Sequence, residues 1–125
     1  MAQRRMMSSV PEADVVITNP THFSVALKYD PEAMETPILV AKGTDLVAFK
    51  IREIAQAHSV EVITSPQLAR SIYYTTEIEQ EIPAGLYLAV AQVLAYIFQL
   101  RSYRKGQGQK PIYPKNIRVP PDLKK

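Results

Sequence analysis

Apolar and polar positions change period along the chain, with strand-like runs first and helical spacing later. Residues 15–18, "VVIT", form a β-branched run that predicts a buried strand. In "FSVALKY", residues 23–29, Phe23, Val25, Leu27 and Tyr29 share one face of a period-two pattern, which predicts a half-exposed strand. A third strand is expected over 38–41, ended by Gly43 at positive φ, and a fourth over 60–64, "VEVIT". Between these two, Leu46, Val47, Lys50, Ile51, Ile54, Ala55 and His58 recur at three/four spacing and predict an amphipathic helix over 44–58. Ser65-Pro66 is a cap-plus-proline helix start, with Leu68, Ala69, Ile72 and Tyr73 on the buried face. Asp30-Pro31 predicts a short turn or helix. Pro83 opens the apolar run "AGLYLAVAQVLAYIFQL", residues 84–100, a helix expected to reach about Tyr103 before Gly106 and Gly108 break it. Seventeen uncharged residues stand at the lower limit for crossing a bilayer, and Gln92 sits at their centre, so the run reads as a buried core helix.

The order β, β, β, α, β, α, α predicts an α/β fold, a small mixed four-stranded sheet surrounded by helices. Too few residues join the first two strands for anything but a hairpin. The link from third to fourth strand is long enough for a parallel crossover. Residues 1–10 read as a linker helix and 11–105 as the domain. Residues 106–125 carry four prolines and many cations, and read as an extended, flexible basic tail.

Composition removes several chemistries. The chain has no cysteine, so disulfides and thiolate metal sites are excluded. Its two histidines, His22 and His58, lack metal-ligand spacing, and no metal or cofactor is expected. The net charge of +3 is unevenly placed: residues 101–125 hold eight basic groups against one acidic, and residues 6–100 hold five against eleven. Basic ends on an acidic domain read as solvated segments, or as groups facing an anionic membrane surface or an acidic partner. No nucleic-acid-binding signature accompanies them, so no nucleic-acid partner is expected. Arg4 and Arg5 are not followed by an apolar stretch of signal-peptide type. Lys42 reads as a solvated lysine, and Tyr73 and Tyr74 as packing residues.

The remaining stretch of interest is "TNPTHF", residues 18–23, between the first two strands. Asn and Pro are favoured at the first and second positions of a tight turn, so a turn needs no further explanation. The same residues also permit a reaction. Ordinary deamidation requires the N–H of the following residue, and Pro20 has none. The Asn19 side-chain nitrogen can instead attack the Asn19 backbone carbonyl, closing a succinimide and expelling Pro20 as a secondary amine. A carboxamide is a weak nucleophile and an amide a weak electrophile, so both need help. A tight turn holds the reacting atoms near attack geometry. Stored backbone strain of about 1–3 kcal/mol would add to it. An imidazole such as His22 is suited to carrying the proton, worth about 10²–10⁴-fold. Thr21 supplies a hydroxyl and a restrained backbone. Asn19, Pro20, Thr21 and His22 are the candidate catalytic residues.

With these residues goes a resemblance. "ADVVITNPTHFSVALKYD", "AKGTDLVAFKIREIAQ", "PQLARSIYY" and "IPAGLYLAVAQVLAYIFQL" are similar to the cytoplasmic domains of the FlhB/YscU/SpaS-type autocleaving export-switch family. The "NPTHFSVAL" continuation looks closer to the flagellar branch than to virulence type III secretion. The resemblance covers about residues 1–120. It implies single-turnover intramolecular cleavage between Asn19 and Pro20, with Thr21 and His22 in support and the fragments staying associated. It also implies a switch of protein export from rod and hook to filament substrates. Implied partners are those substrates, a hook-length-control protein, other export-gate components and a preceding transmembrane domain, at the cytoplasmic face of the bacterial inner membrane. A non-cleaving substrate-binding adaptor of a virulence secretion system is the alternative, in which the turn is only a turn.

Overall fold

A computed structural model describes residues 2–20 and 22–123. The strands are β1 (Val15–Asn19), β2 (Phe23–Lys28), β3 (Ile38–Thr44) and β4 (Glu61–Thr64), and the helices α1 (Ala2–Ser9), α2 (Asp45–Ala57), α3 (Pro66–Thr75) and α4 (Tyr87–Arg104). The sheet order is β3-β2-β1-β4. β1 and β2 form the antiparallel hairpin, β3 joins β2 antiparallel, and β4 joins β1 parallel. The mixed four-stranded α/β sheet expected from the sequence is therefore present. The α2 crossover carries the chain from one edge of the sheet to the other.

Each face of the sheet has its own core. On one, Val16, Ala26, Val40 and Ala41 meet Ile51 and Ala55 of α2, and Met6 and Val10 from the N-terminal helix and its 3₁₀ continuation, Val10–Glu12. On the other, Val15, Ile17, Val25, Leu27 and Ile63 meet Leu68 and Ile72 of α3 and Val90, Val93 and Ile97 of α4. A helix long and apolar enough to cross a membrane spans Ala84–Arg104. Here one side of it covers the sheet.

Four expectations change. β2 is not half-exposed: Ser24 and Ala26 are as buried as Val25 and Leu27, because helices cover both faces of this central strand. Gly43 does not end β3 at positive φ, since it lies within the strand. Its missing side chain instead admits Val47 of α2, into which a Cβ would run. Leu46, placed by its spacing on the buried face of α2, is exposed, and the buried positions are Ala48, Ile51 and Ala55. The helix rests Ala48, Ile51 and Ala55 on the sheet, a face turned away from Leu46 and Phe49. Lys42 is not a solvated lysine. Its Nζ donates to the carbonyls of Tyr73 (3.0 Å) and Thr76 (2.9 Å) and lies 4.9 Å from the Tyr73 ring centre. It thereby satisfies carbonyls at the end of α3, where a cation is favoured. Lys42→Met is expected to lower stability by about 1.5–3 kcal/mol, the range for hydrogen bonds to a charged group. The check is a urea midpoint that falls at unchanged slope.

Residues 106–123 contain no helix or strand beyond the 3₁₀ turn Pro121–Leu123. They run against the domain, with Val119 buried and Ile117 and Leu123 packed on the α3–α4 core.

Candidate functional site

The β1–β2 hairpin carries the candidate residues. Asn19 is the last residue of β1 and pairs with Phe23, the first of β2. It is half-buried, whereas Pro20 and His22 are exposed. Thr21 lies outside the described residues. Asn19, Pro20 and His22 therefore lie together on one turn at one end of the sheet. The turn closes through the His22 backbone N–H, which donates to the Asn19 carbonyl oxygen at 2.9 Å. This is the first-to-fourth hydrogen bond of a tight turn, with Asn and Pro in the positions their propensities favour.

That bond also has a chemical meaning. The Asn19 carbonyl belongs to the Asn19–Pro20 peptide bond. When a nucleophile adds to its carbon, negative charge develops on the oxygen, and a donor already pointed at that oxygen stabilises it. Asn19 does not lie at positive φ. The described part of the turn thus offers a donor on the electrophile rather than left-handed backbone strain.

Both arms of the turn are fixed from below. Thr18 and Ser24 face each other across the hairpin and are almost fully buried. The Thr18 hydroxyl donates to the Phe23 carbonyl at 2.8 Å and lies 3.3 Å from the Ser24 hydroxyl. Ser24 in turn donates to the Ala48 carbonyl of α2 at 3.0 Å. The Asp45 N–H, at the head of α2, donates to the His22 carbonyl at 3.1 Å. The Ser65 N–H donates to the Thr18 carbonyl at 3.0 Å. Hairpin, α2 and the start of α3 thus lock the residues immediately flanking Asn19. The sequence reading missed Thr18, Ser24 and Asp45. Two hydroxyls facing each other among apolar strand residues were the available signal, since such groups are buried only with partners.

The His22 ring stands edge-on to Phe23, with centres 6.3 Å apart, and Phe23 packs in turn on Tyr73 and Tyr74 at 5.1 and 5.7 Å. Tyr73, half-buried, packs as expected, and Tyr74 stands exposed beside it; both rings support the His22 side of the turn. His58 is not part of it: its ring nitrogen lies 3.0 Å from the Ile54 carbonyl at the end of α2. Among the described residues no group of His, Asp and Glu is arranged to hold a metal ion.

Tyr96 is the one described residue with a clear pKa displacement. Burial is the main cause raising its phenol, Glu61 and Tyr113 add to it, and Arg104 opposes them. None of these residues belongs to the turn.

Comparison with known proteins places this geometry. The FlhB HrpN YscU SpaS Family matches residues 1–97. The flagellar biosynthetic protein FlhB of Salmonella typhimurium is 53% identical over 122 residues, 98% of this chain and 32% of that protein. That of Bacillus subtilis is 50% identical over 101 residues, 81% of this chain and 28% of that protein. The chain thus spans about a third of the length of these relatives. Among solved structures, the cytoplasmic domain of FlhB from Shewanella putrefaciens superposes with a TM-score of 0.91 at 55% identity, covering 98% of this chain and 95% of that one. A mutated EscU C-terminal domain superposes at 0.69 with 27% identity, covering 72% and 90%.

Proposed function

The chain belongs to the FlhB, HrpN, YscU and SpaS family, and from that membership we propose that it is a protein-export domain that cuts itself once between Asn19 and Pro20. The observation that carries the reading is the His22 N–H held on the Asn19 carbonyl oxygen at 2.9 Å. In the proposed step the Asn19 side-chain nitrogen adds to the Asn19 backbone carbonyl carbon. The oxygen that becomes negative already has its donor, an effect worth about 10²–10³-fold where it has been removed from other enzymes. Collapse breaks the carbon–nitrogen bond to Pro20. The proton lost by the attacking nitrogen is delivered to the proline nitrogen, which leaves as a secondary amine. Asn19 ends as a succinimide. His22, exposed beside the leaving group, carries the proton, and Thr21 belongs to the same turn.

After the cut, β1 would remain between β2 and β4, with Val15, Val16 and Ile17 fully buried. The fragments therefore stay associated, and only the turn changes shape and charge. We assign the domain to the cytoplasmic face of the inner membrane, after a transmembrane portion. There the cut switches export from rod and hook to filament substrates, in contact with those substrates, a hook-length-control protein and other gate components. Its identities of 53% and 50% with flagellar biosynthetic proteins favour this branch over a virulence adaptor.

Mass spectrometry of the freshly purified chain is the test, without hot acid because Asp30-Pro31 is acid-labile. Two masses are expected, for residues 1–19 and 20–125, co-eluting on native gel filtration and separating in denaturant. The shorter fragment should be lighter by one water than the free acid until its ring hydrolyses. A single mass after long incubation would return the turn to the adaptor reading.

A further inference from the structure

β4 is an edge strand whose neighbour in the sheet is β1. An open edge of this kind is ordinarily covered. Here one side chain of the C-terminal segment reaches the outer side of β4. The Thr64 N–H on the outer side of β4 donates to the Tyr113 hydroxyl at 2.9 Å, and Tyr113 packs edge-on against Tyr96 of α4 with ring centres 5.4 Å apart. Ten residues further on, the nearly fully buried Ser71 hydroxyl of α3 donates to the Leu123 carbonyl at 2.7 Å. Val119, between these two anchors, is buried. Gly85 completes the seat. A Cβ there would come within 2.5 Å of Leu123 Cδ1, and the glycine backbone is not at positive φ, so its missing side chain serves the approach of Leu123.

We propose that residues 113–123 are a clasp seated in cis on β4, α3 and the turn before α4, and that the clasp braces β4 against β1. The argument is topological. The inner side of β4 bonds to β1, as in the Ser65 N–H to Thr18 carbonyl bond at 3.0 Å, and its outer side bonds to the clasp. A four-residue strand held on two sides opens less often than one held on one side. Combined with the cleavage proposed above, on which this consequence rests, the clasp slows the departure of residues 1–19 from the broken chain.

The test uses the full chain and two variants that release the clasp from opposite sides, Leu123→Asp on the segment and Gly85→Leu on the seat. Trypsin cutting after Lys115 and Arg118 reports the clasp, and amide exchange at Ser65 reports the β1–β4 ladder. Neither depends on cleavage at Asn19–Pro20. Both are expected to speed up by about 3- to 10-fold, the equivalent of losing one partly buried leucine anchor. In the cut protein, replacement of residues 1–19 by a labelled synthetic 1–19 peptide should speed up with them. Equal trypsin rates in the native chain and both variants would overturn the clasp. Faster trypsin cutting with Ser65 exchange unchanged would overturn the bracing. A single uncut mass would overturn the cleavage reading alone, and the first two measurements would still decide the clasp.

Discussion

An Asn19→Ala chain is expected to remain a single species of full mass, however long it is incubated, under conditions where the native chain separates into residues 1–19 and 20–125. The alanine methyl has no nitrogen to add to the carbonyl. The rest of the turn should survive. Its closing bond runs from the His22 N–H to the Asn19 carbonyl, both backbone groups, and the Thr18–Ser24–Ala48 hydrogen bonds do not involve the Asn19 side chain. The melting temperature and far-ultraviolet dichroism should therefore stay close to those of the native chain. This separates loss of the nucleophile from loss of the fold. Cleavage of Asn19→Ala at the native rate would remove Asn19 as nucleophile and leave attack by water, or contaminating protease, as the route.

The order of elements and the β1–β2 hairpin were legible because they rest on strong local signals, whereas the pairing of β4 with β1 was not read. The β-branched run of β1, the alternation in β2 and the cap-plus-proline start at Ser65-Pro66 each specify one local structure. The candidate site was legible for a different reason: Asn19, Pro20, Thr21 and His22 are contiguous, so no folding was needed to bring them together. What could not be read was long-range. Gly43 looked like a strand end because a glycine's local meaning is conformational freedom. Its actual role is the close approach of Val47, which depends on how α2 lies on the sheet. Leu46 fitted a helical stripe, yet the helix rests on Ala48, Ile51 and Ala55, a face turned away from Leu46. Lys42 gave no hint of the α3 carbonyls it meets more than thirty residues away. The hydroxyls of Thr18 and Ser24 are the clearest case. Each is unremarkable in its own strand, and their meaning appears only when the hairpin register sets them face to face beneath Asn19.

A His22→Ala chain is expected to cleave at Asn19–Pro20 between about 10²- and 10⁴-fold more slowly than the native chain, the usual contribution of a positioned acid–base group. The substitution divides His22 into its two parts. The imidazole is removed, but the backbone N–H remains, and so does its bond to the Asn19 carbonyl oxygen. Electrophile activation and turn closure are thus kept while proton transfer to the departing Pro20 nitrogen is lost. That transfer matters because an amine anion is a far poorer leaving group than a protonated amine. The ring lies on the surface against Phe23, so its removal opens no cavity in either core and should leave the melting temperature nearly unchanged. Because the ring is exposed, added imidazole can reach the same position, and concentrated imidazole buffer should restore part of the lost rate. The measurement is the fraction of full-length chain against time by mass spectrometry, at fixed pH, with and without imidazole. A His22→Ala chain that cleaves at the native rate would assign the acceleration to the turn and its backbone donor, with water carrying the proton. Slow cleavage that imidazole does not rescue would point instead to the ring's contact with Phe23 as a means of holding the turn.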